Sequence, residues 1–459
     1  MASILRTILP SANRGRSFSH GVHPDDNKHY TAEKPIERLG FPPELYLLLS
    51  QHEGDPSVPV VRPRQEVLRG QVIAEAGAND SVPIHAPATG TIKRIDLVPT
   101  IDGTRRQAIV MNVYPGDTQE VRFLTPRDVD ALNGEEIADA VRDAGIVELG
   151  GSTAPTHTKL RPRAGRTIDT VIVNGCESEP YLTTDQRIMI DRTDDIIVGV
   201  KLLLRSLGAT KAIIAVENNK PKSAEMLRTR LKAIGQDAGA ISLSVLKTKY
   251  PQGAEKVLVK TLLKREIPSG DDSSAVGVQV FSVTTAAQIG ELLPKGGGLI
   301  ERVITVTGPG LDKPGNYLVP NGTPLRYILS RIGYKGSAKY LINGGPMTGT
   351  TVASLDVPVT KNCDGLIVLR PEDFTENTLS DRFPCINCGK CLDVCPVHLN
   401  PAQLGKLAAK RLYLEMDEYH LFDCFECGAC SYVCPAQLPL VQYFRVSKTM
   451  NQELKAAQE

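Results

Sequence analysis

The sequence predicts a multidomain α/β protein with four folded domains, the last of which is helical and rich in cysteine. Three observations indicate this class. Short runs rich in Val, Ile, Gly and Pro fill residues 21–130, buried strands alternate with amphipathic helices over residues 131–297, and eight of the ten cysteines follow residue 371. A chain of 459 residues has room for about three or four such domains.

The composition excludes several classes of function. Hydrophobic residues make up 41% and charged residues 23% of the chain, which is ordinary for a soluble globular protein. The formal net charge of +1 gives no basic excess that would indicate a nucleic-acid partner. No segment approaches the ~18 consecutive apolar residues of a membrane helix. We therefore expect a globular protein with no nucleic-acid partner and no membrane span.

Residues 1–20 form a basic N-terminal arm. The arm contains Arg6, Arg14 and Arg16, and no acidic residue precedes Asp25. It lacks the apolar core of a secretory signal peptide. An Arg-rich, acid-poor start is also typical of a transit peptide, but a flexible arm that lies on a partner or on anionic lipid is the simpler interpretation.

Residues 21–130 are predicted to form a β-rich scaffold domain. From Val58 to Asp96 the chain has short strand-like runs with glycine turns between them, and it resembles the barrel-sandwich fold of biotinyl and lipoyl carriers. Those carriers present a lysine at the hairpin between their two halves. This chain has no lysine from Ala74 to Ala86, so we predict a scaffold without swinging-arm chemistry.

Residues 131–297 are predicted to form an α/β domain with a mostly parallel sheet. Three buried strand runs lie at residues 169–173, 212–216 and 241–246, and helical stretches between them close at Gly208 and Gly235. Ligands of such sheets bind at the carboxyl ends of the strands. The segment that follows the first strand, residues 174–179, is therefore where we expect a site.

Residues 298–370 are predicted to form a small mixed β domain, and residues 371–459 a helical domain. The small domain has a helix that ends at Gly333 and a glycine-rich turn at residues 341–349. In the helical domain, residues 401–421 link the two cysteine runs. Their apolar side chains have helical spacing, and they are Leu404, Leu407, Ala408 and Leu412.

The two cysteine runs share the spacing C-x2-C-x2-C-x3-C followed by proline, which is typical of two [4Fe–4S] clusters. Three closely spaced thiolates cap one cluster, and the fourth cysteine ligates the other. Zinc sites use pairs of C-x2-C instead. Such thiols must stay reduced, which favours the cytosol. The predicted ligand sets are Cys385, Cys388, Cys391 and Cys434 for one cluster, and Cys424, Cys427, Cys430 and Cys395 for the other.

Two further segments are candidate cofactor sites. In the glycine loop, residues 145–160, Gly150 and Gly151 allow backbone N–H groups to approach a phosphate, and Lys159 adds a positive charge. In the segment 174–187, Glu177 and Glu179 stand where they can accept hydrogen bonds from ribose hydroxyls. From the residues alone, common turn chemistry and a solvated acidic loop explain the two segments equally well or better.

These segments, together with both cysteine runs, YPQGAEK at residues 250–256 and LINGGPMTG at residues 341–349, resemble the family of C subunits of the Rnf complexes. The resemblance covers residues from about 20 to 450. It implies a Rossmann-like flavin and NADH domain similar to the flavin subunit of respiratory complex I, and a β-grasp-like SLBB domain. The residues that match the family's cofactor motifs are Gly150, Gly151, Lys159, Asn174, Glu177, Glu179, Tyr250, Gly253 and Glu255.

The resemblance also implies a function. The family's complexes are membrane-bound, ion-translocating NADH:ferredoxin oxidoreductases, and this subunit holds FMN, binds NAD(H) and carries two [4Fe–4S] clusters. Its expected partners are the membrane and ferredoxin-like subunits of the complex, with ferredoxin or flavodoxin as indirect partners. The expected location is the cytoplasmic side of the bacterial inner membrane, with membrane contact made through the partners.

The chain departs from the family pattern close to the expected nucleotide. The usual loop reads close to GxGGxGFPT, and here Glu148 and Thr153 replace glycines and Ala154 replaces the phenylalanine. Ser282 stands where asparagine is usual. A β-branched residue resists the positive φ that glycine permits, and a carboxylate beside a phosphate repels it by about 1 kcal/mol or more.

These departures leave two alternatives open beside the dehydrogenase subunit. One is a relay subunit with a degenerate flavin site, which passes electrons between the clusters of its neighbours. The other is a related cobalamin reductase, which shares the domain plan.

Overall fold

The computed structural model describes residues 16–78, 80–116, 118–149, 153–235, 239–334, 340–373 and 383–458. Most of the predicted basic arm therefore lies outside the described residues, and so do Gly150 and Gly151 of the glycine loop. None of the helices in the described part has both the length and the apolar character that crossing a membrane requires. The architecture is mixed α/β, as predicted.

Two small antiparallel sheets form most of the N-terminal β domain. The strands of this region are β1 (Ile36–Arg38), β2 (Glu44–Leu48), β3 (Val58–Pro59), β4 (Glu66–Val67), β5 (Val72–Glu75), β6 (Ile84–His85), β7 (Gly90–Pro99) and β8 (Arg105–Val113). The sheets have the orders β2-β8-β7-β4 and β3-β5-β6. Ile109 and Met111 of β8 pack with side chains from both sheets, while Ala108 and Val110 face the opposite side. This alternation is the period of two that a strand imposes.

The α/β domain alternates helices and strands as the sequence predicts. Its elements are α1 (Gly134–Asp143), α2 (Thr156–Lys159), β9 (Thr170–Gly175), α3 (Thr184–Asp191), α4 (Thr193–Leu207), β10 (Lys211–Glu217), α5 (Pro221–Ala233), β11 (Ile241–Leu246), α6 (Glu255–Leu263), β12 (Val278–Ser282) and α7 (Val283–Lys295). Gly208 caps α4 with φ 63°, as predicted. The three predicted strands are confirmed to within two residues at each end, and helices precede both Gly208 and Gly235 as predicted.

The parallel sheet of this domain has the order β11-β10-β9-β12. The chain builds outward from β9 to β11 and then returns to place β12 on the other side of β9. The carboxyl ends of β9 and β12 therefore form a topological switch point, which is where ligands of open α/β sheets bind. Asn174 of β9 and Ser282 of β12 are direct partners in the register, so both lie at this edge.

Helices α4 and α7 approach each other closely because glycines stand at their crossing. A Cβ atom at Gly199 would lie 1.9 Å from the carbonyl oxygen of Ala286, and one at Gly290 would lie 1.8 Å from that of Asp195. Only glycine allows two backbones to come this near. The contact holds α7, and with it the helix start that follows Ser282, against the rest of the domain.

The small β domain is a six-stranded mixed sheet covered by one helix. Its elements are β13 (Glu301–Thr307), β14 (Gly315–Pro320), α8 (Leu325–Ile332), β15 (Tyr340–Asn343), β16 (Thr350–Thr351) and β17 (Gly365–Leu369). The strand order is β1-β14-β13-β17-β15-β16, so β1 of the N-terminal region completes this sheet. Helix α8 ends at Gly333 as predicted, with φ 81°. It buries Leu325, Ile328, Leu329 and Ile332 in the core.

The C-terminal domain consists of helices joined by loops that carry the cysteines. Its α-helices are α9 (Lys390–Val394), α10 (Pro401–Ala409), α11 (Ala429–Tyr432) and α12 (Leu440–Ala456). The predicted apolar helix over residues 401–421 is shorter than expected. Arg411 takes φ 58°, which ends the helix, and Leu412 is 37% exposed. Two 3₁₀ turns, Leu414–Tyr419 and Leu421–Asp423, complete the link.

A buried lysine joins three of the domains. The Lys361 ammonium, from the small β domain, donates to the carbonyl of Pro83 in the N-terminal domain at 3.0 Å and to that of Gly145 in the α/β domain at 2.7 Å. Lys361 is 1% exposed. Burial lowers the pKa of Lys361 to about 7, because a charged ammonium loses its hydration there.

The glycine contact between α4 and α7 predicts the effect of one added methyl group. Gly199→Ala forces the two backbones apart and should destabilise the chain by about 2 kcal/mol, seen as a lower Tm. The control is Gly116→Ala, where the new Cβ meets no atom within 4 Å and the Tm should stay within a degree or so of wild type. A Gly199→Ala protein as stable as wild type would contradict the close helix crossing.

The buried Lys361 predicts a pH dependence of stability. Its pKa is lowered from 10.5 to about 7, so between these values the unfolded chain binds more protons than the folded chain. The contribution of Lys361 to stability therefore rises with pH across this window. Lys361→Met should lose that rise, so the Tm difference between wild type and variant should grow from pH 7 to pH 10. Lys313→Met, at an exposed lysine, is the control; an unchanged difference for Lys361→Met would refute the prediction.

Candidate cluster and cofactor sites

The eight cysteines of the two runs line two cavities in the C-terminal domain. We call the first the outer cavity and the second the inner cavity. The outer cavity is lined by Cys385, Cys388, Cys391 and Cys434, and the inner cavity by Cys395, Cys424, Cys427 and Cys430. Each combines three cysteines of one run with the fourth of the other run. The structure thus brings together the residues of each predicted ligand set.

The two cysteine runs also share a local structure. Helices α9 and α11 each begin after a glycine in the left-handed region, Gly389 with φ 79° and Gly428 with φ 80°. The third cysteine of each run, Cys391 or Cys430, is the second residue of its helix. Glycine permits this turn without the steric cost of a side chain. The repeated spacing in the sequence therefore corresponds to a repeated turn and helix.

The donors around the inner cavity suit a cluster of cationic iron. Burial, with a contribution from the neighbouring cysteines, raises the pKa of Cys427 to about 12. A thiol in such a place forms its thiolate when positively charged metal lies beside it. The N–H of Leu399 donates to the Cys395 sulfur at 3.3 Å, a contact that helps to set the potential of a cluster. Cysteine thiols with such an N–H contact are the donors that a [4Fe–4S] cluster requires, and the assignment of these four as its ligands stays a prediction.

The two cavities differ in their surroundings. At the outer cavity Cys388 is exposed and Ile386 is 64% exposed. The inner cavity, by contrast, borders the α/β domain. The Tyr250 hydroxyl donates to the Cys427 carbonyl at 2.6 Å, and Lys256 of α6 pairs with Asp423 at 2.9 Å. The inner cavity is thus the one that faces the parallel sheet.

Asn174 and Gly253 meet at the carboxyl edge of the sheet. The Asn174 amide donates to the Gly253 carbonyl at 2.8 Å and its oxygen accepts the N–H of Cys176 at 3.0 Å. A Cβ at Gly253 would lie 2.3 Å from the Cys176 carbonyl oxygen, so a side chain at 253 would push the two loops apart. Both residues join the loop after β9 to the loop before α6.

Glu177 and Glu179 are held by protein groups. Glu177 accepts the N–H of Asp185 at 2.9 Å and lies 3.8 Å from the Lys28 ammonium. Glu179 accepts the N–H of Met347 at 3.1 Å, in the glycine-rich turn of the small β domain. Burial raises the pKa of Glu179. Their binding to a ribose stays a prediction, while their contacts here join the α/β domain to its neighbours.

Three charged residues at this edge, two of them fully buried, were missed by sequence reasoning. Lys220 and Glu217 form an ion pair at 3.1 Å with both side chains fully buried, and Lys220 also donates to the Glu177 carbonyl at 3.1 Å. Asp185 accepts from the Thr284 hydroxyl at 2.6 Å. Burial, with the nearby Glu177 charge, raises the pKa of Asp185 to about 7. The sequence offered one sign of these residues: Glu217 is a charged residue at the end of a buried strand, and Lys220 is one directly before a helix.

Lys159 lies on a buried network beside the end of β12. Its ammonium donates to the Val280 carbonyl, lies 5.0 Å from the centre of the Phe281 ring, and pairs with Glu148 at 3.6 Å. Glu255, the first residue of α6, accepts the N–H of Ser273 at 3.3 Å. Its negative charge adds to the effect of burial, which raises the pKa of Glu148. Lys159 and the start of α7 form a donor set that fits a phosphate group such as that of FMN.

Two residues singled out in the sequence, Thr153 and Ser282, affect the local backbone. Thr153 takes φ 50°, a left-handed conformation that glycine adopts without strain and a β-branched residue resists. Its carbonyl accepts the N–H of Glu53 at 3.2 Å. Ser282 accepts the N–H of Thr285 at 2.9 Å and so caps α7. Gly150 and Gly151 lie outside the described residues, so their role stays a prediction.

Comparison with protein families divides the chain in the same order. Residues 16–114 match the RnfC barrel sandwich hybrid domain, residues 141–291 the Nuo51 FMN-binding domain, residues 303–351 the SLBB domain, and residues 378–435 the 4Fe-4S dicluster domain. The expected barrel-sandwich, flavin, SLBB and dicluster classes are thereby confirmed.

A solved structure of an NAD+-reducing [NiFe]-hydrogenase in the H2-reduced state has a TM-score of 0.50 and 18% identity, over 70% of this chain and 63% of that chain. This likeness concerns the fold alone.

Curated relatives match almost the whole chain. The C subunit of the proton-translocating ferredoxin:NAD(+) oxidoreductase complex of Clostridium ljungdahlii is 40% identical over 95% of this chain and 94% of the relative. The C subunit of the Na(+)-translocating ferredoxin:NAD(+) oxidoreductase complex of Acetobacterium woodii is 37% identical over 86% of this chain and 88% of the relative. The chain therefore belongs to the RnfC family, the C subunits of ion-translocating ferredoxin:NAD(+) oxidoreductase complexes.

Proposed function

We propose that this chain is the subunit of an Rnf complex that accepts electrons from NADH and passes them singly to its partner subunits. The observation that carries the proposal is the pair of four-cysteine cavities, of which the inner one borders the α/β domain through Tyr250 and Cys427. The names of the relatives, which specify a ferredoxin:NAD(+) oxidoreductase complex, support it. The location follows as a proposal: the cytoplasmic side of the membrane, with attachment through partner subunits.

The proposed route runs from the α/β domain through the inner cavity to the outer cavity. When bound, FMN converts the hydride of NADH into single electrons, which two [4Fe–4S] clusters then carry. The eight cysteines are proposed as the ligands, in the crossed sets predicted from their spacing. The Tyr250 hydroxyl and the Lys256–Asp423 pair fix the inner cavity against the α/β domain. The buried surroundings of Cys395 and Cys430 exclude water from it.

The outer cavity is the proposed exit to the partner subunits. It is lined by the exposed Ile386 and by three lysines, Lys390, Lys406 and Lys410. An apolar centre with a basic rim suits a partner with an acidic face around its own redox centre. Ferredoxin or flavodoxin then exchanges electrons with the complex through those partners.

A relay subunit without flavin is the second candidate function. The observation that favours it is Glu148, a buried carboxylate that already pairs with Lys159. On this alternative the cysteine cavities work as proposed, but electrons enter from another iron–sulfur subunit. Flavin content and reduction by NADH distinguish the two candidates.

The composition of the anaerobically purified chain tests the proposal. We expect about eight irons and eight sulfides per chain from two cubane clusters, together with FMN at close to one per chain. Addition of NADH should bleach the visible absorption of the clusters, because electrons reach them through the flavin. A chain with its full iron content, little flavin and no bleaching by NADH would reject the dehydrogenase role and leave the relay.

The crossed ligand sets are tested by two serine variants and one control. Cys388→Ser removes a sulfur of the outer cavity and Cys427→Ser one of the inner cavity, so each variant should lose a different one of the two cubane EPR signals. Cys363→Ser is the control: Cys363 is buried beside Asn343, to which its thiol donates at 3.0 Å, and it should keep both signals. Retention of both signals in Cys388→Ser or Cys427→Ser would refute the ligand assignment.

A further inference from the structure

Glu148 stands in the loop where the family has a glycine, and its carboxylate is turned into the protein. The residue is 6% exposed. The carboxylate accepts from the Thr156 hydroxyl at 3.4 Å and pairs with the Lys159 ammonium at 3.6 Å. The backbone N–H of Ser282 lies near enough to favour its charged form. Groups from two segments, helix α2 and the start of α7, thus lie around one carboxylate.

These donors are of the kind that bind a phosphate. An ammonium group, a hydroxyl and a backbone N–H at the start of a helix together attract and orient an anion. The N–H belongs to Ser282, which caps the 13-residue helix α7. In this chain the anion that satisfies them is a side chain of the same loop.

We propose that the Glu148 carboxylate occupies the phosphate position of the flavin site, so that FMN binds only by displacing it. This inference rests on the proposed function, since it assumes that the α/β domain takes FMN at this edge. A phosphate and a carboxylate cannot share the same donors, because like charges at contact distance repel strongly in a buried site. Glu148 is thus an internal competitor that weakens the binding of phosphate-bearing flavin.

Lys159 itself is not free to move aside. Its ammonium also donates to the Val280 carbonyl and lies over the Phe281 ring at 5.0 Å. Glu148 belongs to the loop between α1 and α2, whose backbone is tied by the bond from the Glu148 N–H to the Ala154 carbonyl at 2.9 Å. The group that moves when FMN binds is therefore the Glu148 side chain, while the Lys159 ammonium stays in place to bind the phosphate.

The competition is tested by comparing FMN with riboflavin, which has the same ring system but no phosphate. The full chain is stripped of flavin, and the binding of each compound is followed by the quenching of flavin fluorescence. The variants are Glu148→Gln, which keeps the volume and the acceptor oxygen but removes the charge, and Glu148→Gly, which restores the family's residue. Glu53→Gln is the matched control, because Glu53 is an exposed glutamate whose backbone N–H contacts the same loop at Thr153.

Both Glu148 variants should bind FMN roughly tenfold or more tightly than wild type, with little change in riboflavin affinity. Glu53→Gln should bind both compounds as wild type does. Lys159→Met should abolish the preference for FMN over riboflavin in the Glu148→Gln background. The Tm of each variant confirms that it is folded.

Three outcomes would overturn the inference. Equal FMN affinity in wild type and both Glu148 variants would reject the competition and leave the proposed function intact. An equal gain for FMN and riboflavin would show that Glu148 acts on the ring system and not on the phosphate. If no variant binds either compound, the flavin role in the proposed function fails, and the inference fails with it.

Discussion

The contact between the inner cysteine cavity and the carboxyl edge of the parallel sheet is the constraint on which the rest of the structure depends. Electrons cross only short gaps, so a cluster is useful here only if it lies against the edge where a cofactor binds. A part-buried hydrogen bond from the Tyr250 hydroxyl to the Cys427 carbonyl joins the two, beside the pair of Lys256 and Asp423. Around it Tyr250 packs with Val22 and Ala429 in a small apolar cluster. The N-terminal segment binds both sides, since Val22 pairs with Tyr250 and the Gly21 N–H donates to Val394.

The buried charged groups have a related role, because they join domains through backbone carbonyls. The Lys28 ammonium donates to the carbonyls of Glu179 and Leu182, and Lys361 does the same for Pro83 and Gly145. Each of these lysines donates to two backbone carbonyls of other segments, so it holds its partners in one arrangement. A fixed arrangement is what a chain of redox centres requires, since its rate depends on the separation of the centres.

The sequence was informative where local spacing decides structure, and less so where distant segments meet. The cysteine spacing, the strands of the α/β domain and the glycine caps all follow from residues close together in the chain. Nothing local indicates that β1, at Ile36–Arg38, completes a sheet with the distant β14, or that Lys28 reaches Glu177. The overestimated helix after Pro401 has a local cause, because Arg411 adopts a left-handed conformation that its residue type does not signal.

Glu148 and its neighbours form one coupled set of interactions, which argues against simple decay of the site. A carboxylate introduced alone into a buried site would be strongly destabilising. Here Glu148 pairs with the Lys159 ammonium and accepts from the Thr156 hydroxyl, so its carboxylate has partners. The Ser282 hydroxyl accepts the N–H of Thr285 and so caps α7. Decay of a site would leave buried polar groups without hydrogen-bond partners, whereas the side chains of Glu148, Lys159 and Thr156 are partners of one another. The loop is therefore better described as an anion site that the Glu148 carboxylate occupies than as a site that can no longer bind an anion.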